Sequence, residues 1–278
     1  MAEKSRPIAN GIADGSLNVM FVSVIIPAYN EEQALPLVLQ ELPRDRVSEV
    51  IVVDNGSTDR TFFVAQTANV KVVFEPRRGY GSACQAGLRA LSTDSEVIVF
   101  LDGDHSDYPE ELPTLLEPIE RGEADLVIGS RLLGQAEPGS LPLQQRFGNW
   151  LACSLIALRF GRRFTPPLWS SRGERFVAGR IPDDPSWSLR RSDRAKGVGF
   201  TDLGPFRAIR RDALERLALR DQGFGWNVEM QLKALKANLR IVEVPVRYRK
   251  RIGYSKISGT ITGTIRAGLG ILGMIARH

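Results

Sequence analysis

The sequence predicts an α/β fold built on a mostly parallel sheet that helices cover on both faces. Short apolar runs, each followed by a polar loop and a helical pattern, recur along the first half of the chain. The runs are apolar at nearly every position rather than at alternate ones, which is typical of strands buried on both faces. The chain has 278 residues, 43% hydrophobic and 25% charged, so it can bury a large core and is not expected to be disordered.

Each predicted strand is one such run, and the helices are indicated by apolar spacings of three and four residues. The predicted strands are 22–27, 50–54, 71–74, 96–101, 126–131 and 239–246, and the later helices are 147–160, 212–219 and 227–236. Residues 161–199 contain scattered Pro, Arg and Ser without a sustained period, which predicts an inserted loop or lid.

Polar groups follow four of the predicted strands. They are Asn30–Glu31, Asp54, Arg77–Arg78 and Asp102–Asp104. Ligands of open parallel sheets bind beyond the carboxyl ends of the strands, where all four groups are expected to converge. The sequence therefore predicts one polar site at one edge of the sheet.

Two carboxylates, Asp102 and Asp104, leave the fourth strand together and offer the oxygen ligands that Mg²⁺ or Mn²⁺ prefers. Asp and Gly are also common in ordinary turns after strands, so the triplet alone does not establish a metal site. Asp54 has the same ambiguity, because it can accept hydrogen bonds from a nucleoside or form an Asx turn.

The segment from Arg77 to Ser82 places two arginines and two glycines before a helix. Such a segment can offer backbone N–H groups and cations to a phosphate. It lacks the glycine spacing of an NTPase loop or of a dinucleotide-binding fingerprint, which argues against ATPase and dehydrogenase functions.

Histidine and cysteine content excludes several kinds of site. His105 and His278 are the only histidines, so neither a His-based triad nor a metal site of several histidines can form. Cys84 and Cys153 lack metal-ligand spacing and predict reduced thiols in an intracellular protein.

The net charge is only +5, but Arg is concentrated in 159–194 and again in 247–251. These segments either contact phosphates or an anionic membrane surface, or form solvated basic faces. No feature indicates nucleic-acid binding, and homo-oligomerisation is left open.

Taken together, these segments resemble the family 2 glycosyltransferases, and more narrowly the dolichyl-phosphate mannose and polyprenyl-phosphate glucose synthases. The matching pieces are VIIPAYNEE at 24–32, VVDNGSTD at 52–59 and DGD at 102–104, then GSR at 129–131, RFGN at 146–149, DLGPFR at 202–207, VPV at 244–246 and RIGYSK at 251–256. The resemblance covers about residues 22–258 and implies a GT-A fold, a nucleotide-sugar donor and a divalent metal, Mg²⁺ or Mn²⁺.

The resemblance also assigns residues to a donor site, a metal site and an acceptor site. It implies that the nucleoside pocket is lined by Pro27, Tyr29, Glu31 and Asp54, and that the metal and donor diphosphate are held by Asp102 and Asp104. It also implies that the acceptor phosphate is bound by Arg131 and Arg146. Arg251 and Lys256 would close over the phosphates. We add Arg78 to the donor site and expect Asp104 and the four basic residues Arg131, Arg146, Arg251 and Lys256 to be catalytic. One position departs from the family, which often has a metal-binding Gln where this chain has Ser106, followed by Asp107.

The reaction implied is transfer of mannose or glucose from a nucleoside-diphosphate sugar to polyprenyl or dolichyl phosphate, with inversion. A lipid phosphate is already largely ionised near neutral pH, because its second pKa is about 6, and so needs no general base. A hydroxyl acceptor would need one, for which Asp202 and Glu229 are candidates, although Glu229 is equally a helix-surface carboxylate. A scaffold that binds nucleotide sugar without turnover is a further alternative.

The predicted organisation is a flexible tail at 1–20, a glycosyltransferase domain at 21–256 and an amphipathic helix at 257–278. Residues 1–20 lack the apolar core of a signal peptide, and no run reaches the about 20 apolar residues of a membrane span. The helix at 257–278 carries an apolar stripe made by Ile257, Ile261, Ile265, Leu269, Leu272 and Ile275. It either lies at the membrane interface, on the cytoplasmic face, or packs on the domain or on another subunit.

Overall fold

The computed structural model describes residues 20–160 and 200–253, together with 268, 270, 273–275 and 277. The strands are β1 (Val22–Ala28), β2 (Glu49–Asp54), β3 (Lys71–Phe74), β4 (Val97–Phe100), β5 (Leu126–Ser130), β6 (Arg207–Arg210) and β7 (Ile241–Pro245). The helices are α1 (Leu35–Gln40), α2 (Thr61–Thr67), α3 (Tyr80–Arg89), α4 (Leu112–Glu120), α5 (Leu143–Arg159), α6 (Arg211–Leu217) and α7 (Trp226–Lys236). The predicted strands are confirmed to within two residues, and α5 begins four residues earlier than predicted.

The strands of the described ranges form one sheet in the order β3-β2-β1-β4-β6-β5-β7. β1 pairs in parallel with β2 and β4, β2 with β3, and β5 with β7. β6, which the sequence did not predict, lies antiparallel between β4 and β5. Its four residues begin and end with Arg, so its placement depends on the two neighbouring strands rather than on its own composition.

The sheet is buried on both faces, as the unbroken apolar runs predict. Along β1, Ile25 points into a core cluster with α3, α5, α6 and α7, whereas Val24 and Ile26 point into a second cluster with α1 and α4. Helix α3 lies especially close to β1, since a Cβ on Gly87 would come within 2.5 Å of Ile25 Cγ2. The helices therefore hold the carboxyl ends of β1, β2 and β4 at a fixed edge.

The described residues of the C-terminal segment, 268, 270, 273–275 and 277, are helical. Ile275 is buried in the cluster that contains α7, and Met274 packs against the same cluster. Ile275 belongs to the predicted apolar stripe, and the other residues of that stripe lie outside the described residues, as do the tail before residue 20 and the insertion 161–199. Within the described part, no helix is both long and apolar enough to cross a membrane.

Candidate active site

Gly103 brings the loop after β4 onto the end of β1. A Cβ at this position would lie 3.3 Å from the carbonyl oxygen of Pro27 and 3.5 Å from the Cβ of Ala28. Because there is no side chain at Gly103, Asp102 and Asp104 are carried directly over the carboxyl edge of the sheet. The loop that carries the two aspartates therefore lies against the carboxyl end of β1, as predicted for Asp102 and Asp104.

Asp104 is buried and has both carboxylate oxygens engaged. Oδ1 accepts hydrogen bonds from the Ser106 amide at 2.9 Å and the Ser106 hydroxyl at 2.5 Å. Oδ2 lies 2.8 Å from Nη2 of Arg251, and the amide of Ile252 donates to the Asp104 carbonyl. Ser106 thus orients the aspartate by a hydrogen bond, at the position where the family often places a Gln that binds metal.

Asp102 lies in an environment rich in negative charge. Burial, followed by the charge of Asp104, raises the pKa of Asp102 to about 7, while Arg251 and Arg131 act in the opposite direction. Glu31 adds a smaller repulsion, which places the predicted donor-site carboxylate within electrostatic range of Asp102. A hard cation would relieve this repulsion.

Asp107 is a third carboxyl group close to this pair. It is buried, and neither of its oxygens has a hydrogen-bond partner among the described residues. Burial and the charges of Asp102 and Asp104 raise the pKa of Asp107 well above its usual range. The sequence placed Asp107 next to the metal site without giving it a role.

The donor set fits a hard divalent ion held by two carboxylates. Asp102 and Asp104 offer oxygen ligands, and their mutual repulsion is what a cation would offset. Among the described residues, no group of three or more His, Cys, Asp or Glu side chains is arranged to hold a metal. Mg²⁺ commonly uses one or two carboxylates together with substrate phosphates and water, so two protein ligands suffice.

The basic segment after β7 runs along the metal-site loop in an extended conformation. Its three odd-numbered arginines each pair with a carboxylate of the chain, and side chains alternate along an extended segment. Arg247 Nε donates to Glu111 at 2.5 Å, Arg249 Nη2 donates to Glu41 at 2.5 Å, and Arg251 pairs with Asp104. These three side chains are paired within the chain, and the prediction that the run 247–251 contacts phosphates or an anionic membrane surface, or forms a solvated face, stays a prediction.

Arg249 and Glu41 were missed by sequence reasoning, yet both support the metal-site loop. Arg249 Nε donates to the carbonyl of His105 at 2.7 Å, and its amide donates to the carbonyl of Ser106. His105 has φ of 62° and lies 2.9 Å from Glu41 through Nε2, so its ring is held by a protein carboxylate. The alternation of Arg at 247, 249 and 251 was the available signal.

Arg131, at the end of β5, forms a buried bidentate ion pair with Asp202. Its Nε and Nη2 donate to the two carboxylate oxygens at 2.8 and 2.6 Å, and its own amide donates to Oδ2 at 2.8 Å. The guanidinium lies 5.0 Å from the ring centre of Tyr248. A paired, hydrogen-bonded arginine of this kind keeps its charge although it is buried.

Asp202 and Glu229, the two candidate bases, both make internal contacts. Both oxygens of Asp202 accept from Arg131. Glu229 accepts from the amides of Arg220 and Asp221 and pairs with Lys233 at 2.7 Å, and these hydrogen bonds outweigh burial and lower the pKa of Glu229. Glu229 is therefore buried within the domain rather than on a helix surface.

The donor side of the site is formed by the loops after β1, β2 and β3. The guanidinium of Arg78 stacks 3.2 Å from the ring centre of Tyr29, and its Nη1 donates to the carbonyls of Asn55 and Gly56 at 3.0 and 3.1 Å. Asp54 is buried and accepts from the amide of Ser57, three residues further on, at 3.3 and 3.4 Å, so its carboxylate stabilises the turn after β2.

Two amides in the first turn of α3, within the glycine-rich segment, are hydrogen-bonded to another loop of the chain. The Gly81 and Ser82 amides donate to the carbonyls of Gly223 and Gln222, each at 3.0 Å. A Cβ on Gly79 or Gly81 would lie about 2 Å from carbonyl oxygens of the same loop, so the two glycines allow this contact. The predicted phosphate-binding role of these amides is wrong, because another loop of the chain satisfies them.

Arg146 lies in the first turn of α5, is exposed, and donates its amide to the carbonyl of Pro142. Lys256 lies outside the described residues. Their assigned roles stay predictions.

Comparisons with known proteins agree with this architecture. A family model described as glycosyl transferase family 2 matches residues 23–218. The chain is 33% identical over 268 residues to an undecaprenyl-phosphate mannosyltransferase of Micrococcus luteus, covering 93% of this chain and 96% of the relative. It is 30% identical over 251 residues to a polyprenol monophosphomannose synthase of Mycolicibacterium smegmatis, covering 85% of this chain and 81% of the relative.

A solved structure shares the fold. Glucosyl-3-phosphoglycerate synthase of Mycobacterium tuberculosis, in complex with Mn²⁺ and UDP-glucose, aligns with a TM-score of 0.63 at 20% sequence identity. The alignment covers 93% of this chain and 78% of that structure. The predicted GT-A-like α/β fold is confirmed.

Proposed function

This chain belongs to glycosyl transferase family 2, and we propose that it transfers a hexose from a nucleoside-diphosphate sugar to a polyprenyl phosphate with inversion. The hexose is mannose or glucose. Relatives named undecaprenyl-phosphate mannosyltransferase, polyprenol monophosphomannose synthase and dolichyl-phosphate hexose transferase support this acceptor class. The protein acts at the cytoplasmic face of a membrane as a peripheral enzyme.

The observation that carries the proposal is the pairing of Asp202 with Arg131. Both oxygens of Asp202 are occupied by one guanidinium, so this carboxylate is poorly placed to take a proton from a hydroxyl acceptor. Arg131 is held in place, with its charge retained, near Asp102. A fixed cation whose own carboxylate partner is fully engaged suits an acceptor that is already an anion.

The chain's own residues then position charge around the reacting groups. Asp102 and Asp104 would hold Mg²⁺ or Mn²⁺, which supplies Lewis-acid stabilisation of the leaving diphosphate when bound. Arg251, now paired with Asp104, lies where it can turn to the donor phosphates, and Arg131 orients the acceptor phosphate. Tyr29, stacked under Arg78, and Asp54 border the nucleoside.

The test is a transfer assay with the full chain, Mn²⁺, polyprenyl phosphate and a panel of labelled nucleotide sugars, with label measured in the organic phase. Unphosphorylated polyprenol is the matched control acceptor. We expect transfer from one donor to the phosphate alone, with inverted anomeric configuration by NMR. Nucleotide-sugar binding without transfer to any acceptor would instead support the non-catalytic scaffold.

A hydroxyl acceptor is a second candidate, and Asp107 is the observation that favours it. Its carboxylate oxygens have no hydrogen-bond partner among the described residues, so when ionised this group could accept a proton from a hydroxyl. Asp107→Asn should abolish transfer to a hydroxyl and leave transfer to a phosphate nearly unchanged. Loss of transfer to polyprenyl phosphate in this variant, with an unchanged thermal transition, would contradict the reaction without a base.

A further inference from the structure

Helix α5 exposes a row of large apolar side chains to solvent. Leu143, Phe147, Trp150 and Leu158 are 77%, 62%, 45% and 78% exposed. They recur at intervals of four, three and eight residues, and thus lie along one side of the helix. The remaining large exposed hydrophobic residues of the described ranges, Leu37, Phe63, Phe74 and Phe224, are on four other elements or loops.

The opposite side of α5 is buried in the domain. The buried residues of α5 are Ala152, Cys153, Ile156 and Ala157. The helix therefore already packs on the core through one side, and the exposed row is a second, separate apolar side. The rings of Phe147 and Trp150 lie 5.8 Å apart and form one aromatic surface. A contiguous apolar surface of this kind marks an interaction site.

The charge around this row favours an anionic lipid surface. α5 carries Arg146 and Arg159, both exposed, and no acidic residue. The sequence contains no Asp or Glu between Glu137 and Glu174. Trp, Phe and Leu combined with Arg and without acidic residues are typical of helices that lie in the headgroup region of a bilayer.

The same helix is connected directly to the proposed acceptor site. The side-chain amide of Asn149 donates to the Thr201 carbonyl at 2.8 Å and accepts from the Leu203 amide at 2.8 Å. Asn149 therefore holds the two residues that flank Asp202, which in turn fixes Arg131. A membrane surface in contact with the exposed side of α5 would therefore lie at a fixed distance from the guanidinium of Arg131.

We propose that the outer side of α5 docks on an anionic membrane surface and so presents the Arg131–Asp202 pair to lipid phosphates in that surface. The inference rests on the proposed lipid-phosphate acceptor. It assigns membrane contact to α5 rather than to the C-terminal helix, whose described residue Ile275 is buried in the core.

The docking test is flotation of the full chain with phosphatidylcholine vesicles, with and without phosphatidylglycerol. In the double variant Trp150→Gln/Leu158→Gln, we expect the partition onto anionic vesicles to fall at least about tenfold, because two apolar side chains no longer leave water. Phe63→Gln/Phe74→Gln is the matched control, since it removes two similarly exposed apolar side chains elsewhere and should bind as the wild type does.

Flotation decides the docking proposal independently of turnover. Failure of the wild type to float with anionic vesicles, or equal binding by the α5 variant and the control, would overturn it. A wild-type dimer that becomes a monomer in the α5 variant, with vesicle binding unchanged, would show that a second copy covers this surface instead.

A second pair of assays separates docking from the proposed function. With a short-chain, water-soluble isoprenyl phosphate, the α5 variant should turn over at the wild-type rate, and with vesicle-embedded polyprenyl phosphate it should be slowed about tenfold or more. Wild-type protein that floats with vesicles but glycosylates neither phosphate would refute the proposed function and leave the docking surface supported.

Discussion

Asp104 is the residue at which the loop after β4, the basic segment after β7 and the proposed metal site meet. Its carboxylate accepts from Ser106 and pairs with Arg251, and the preceding Gly103 lies against the end of β1. Asp104→Asn keeps the shape of the side chain but removes the charge, so we expect turnover to fall about a hundredfold or more. Stability should change little, because Arg251 is partly exposed and can be hydrated.

The control for this substitution is Glu110→Gln, which removes the charge of another arginine partner, that of Arg247, away from the reacting groups. Turnover and the thermal transition are measured for both variants. An Asp104→Asn protein with wild-type turnover would contradict its assigned role.

Asp102 predicts a pH-dependent affinity for the metal. Its pKa is raised to about 7 by burial and by Asp104, above the value near 3.9 of an unfolded chain. Without metal, the neutral form is therefore favoured below pH 7, and metal binding must displace a proton there. We expect the dissociation constant for Mn²⁺ to fall about tenfold per unit as pH rises towards 7 and to level off above it.

The same shift makes the metal-free protein less stable as pH rises. A raised folded-state pKa gives stability that is complete below about pH 4 and is lost as pH rises through about 7. Asp102→Asn should remove this component of the pH dependence. Titration calorimetry with Mn²⁺ at several pH values checks the affinity, and a constant dissociation constant between pH 5.5 and 7.5, roughly the range of the expected titration, would contradict the assignment.

The sequence indicated which residues lie at the candidate site better than it indicated their hydrogen-bond partners. Asp54, Asp102 and Asp104 were found because a parallel sheet brings strand ends together. The pairing of Arg249 with Glu41 joins residues far apart in the chain, and no local pattern specifies it. The bidentate contact of Arg131 with Asp202 likewise depends on how two loops pack.

At the scale of elements, the contact between α3 and the loop 221–223 yields a prediction about glycine. A Cβ at Gly81 would lie 2.2 Å from the carbonyl oxygen of Asp221, whereas nothing lies within 4 Å of a Cβ at Gly148 in α5. Gly81→Ala should destabilise the protein by about 2–4 kcal/mol, because backbone must move. Gly148→Ala should stabilise it by about 0.5–1 kcal/mol through helix propensity.

Denaturant unfolding measures both changes in the free energy of unfolding. The pair is informative because the substitution is the same and only the surroundings differ. Equal effects at the two positions would mean that the loop 221–223 does not pack on the start of α3.

Strand β6 shows why some elements escape prediction from sequence. Arg207 is fully buried, and its guanidinium donates to the carbonyls of Gly204 and Asn227. Burial lowers the pKa of Arg207 to about 10, so the group still carries its charge near neutral pH. A short strand that begins with a buried arginine has neither period nor composition to reveal it, whereas β1, β2 and β4 are unbroken apolar runs.

At the scale of the whole molecule, the two core clusters divide the domain along the sheet. The cluster that contains Ile25 of β1, near the beginning of the described chain, also contains Ile275, near its end. The C-terminal segment thus takes part in the core that supports α3 and α7. The amphipathic stripe was visible in the sequence, but the surface it covers was not, because a helix of this pattern can pack on protein or on lipid.

Ile275 tests whether the C-terminal segment is part of the folded domain. Its side chain is 7% exposed, and the neighbouring Met274 lies close enough to Gly225 that a Cβ there would be 3.0 Å from the methionine methyl group. Ile275→Ala should lower the free energy of unfolding by about 2–4 kcal/mol, as expected for truncation of a buried aliphatic side chain. Leu158→Ala, which truncates an exposed aliphatic side chain on α5, should change it by less than about 0.5 kcal/mol.

The two substitutions should also differ in the presence of vesicles. Leu158→Ala weakens binding of α5 to anionic lipid while leaving the fold intact, whereas Ile275→Ala destabilises the fold with or without lipid. If the C-terminal segment left the domain to lie on the membrane, vesicles would abolish the difference in free energy of unfolding between the wild type and Ile275→Ala. Gly225, the residue before α7, lies next to Met274, so such release would also loosen the loop that covers the start of α3. Persistence of the difference on vesicles would therefore place the C-terminal segment on the protein and leave α5 to meet the lipid.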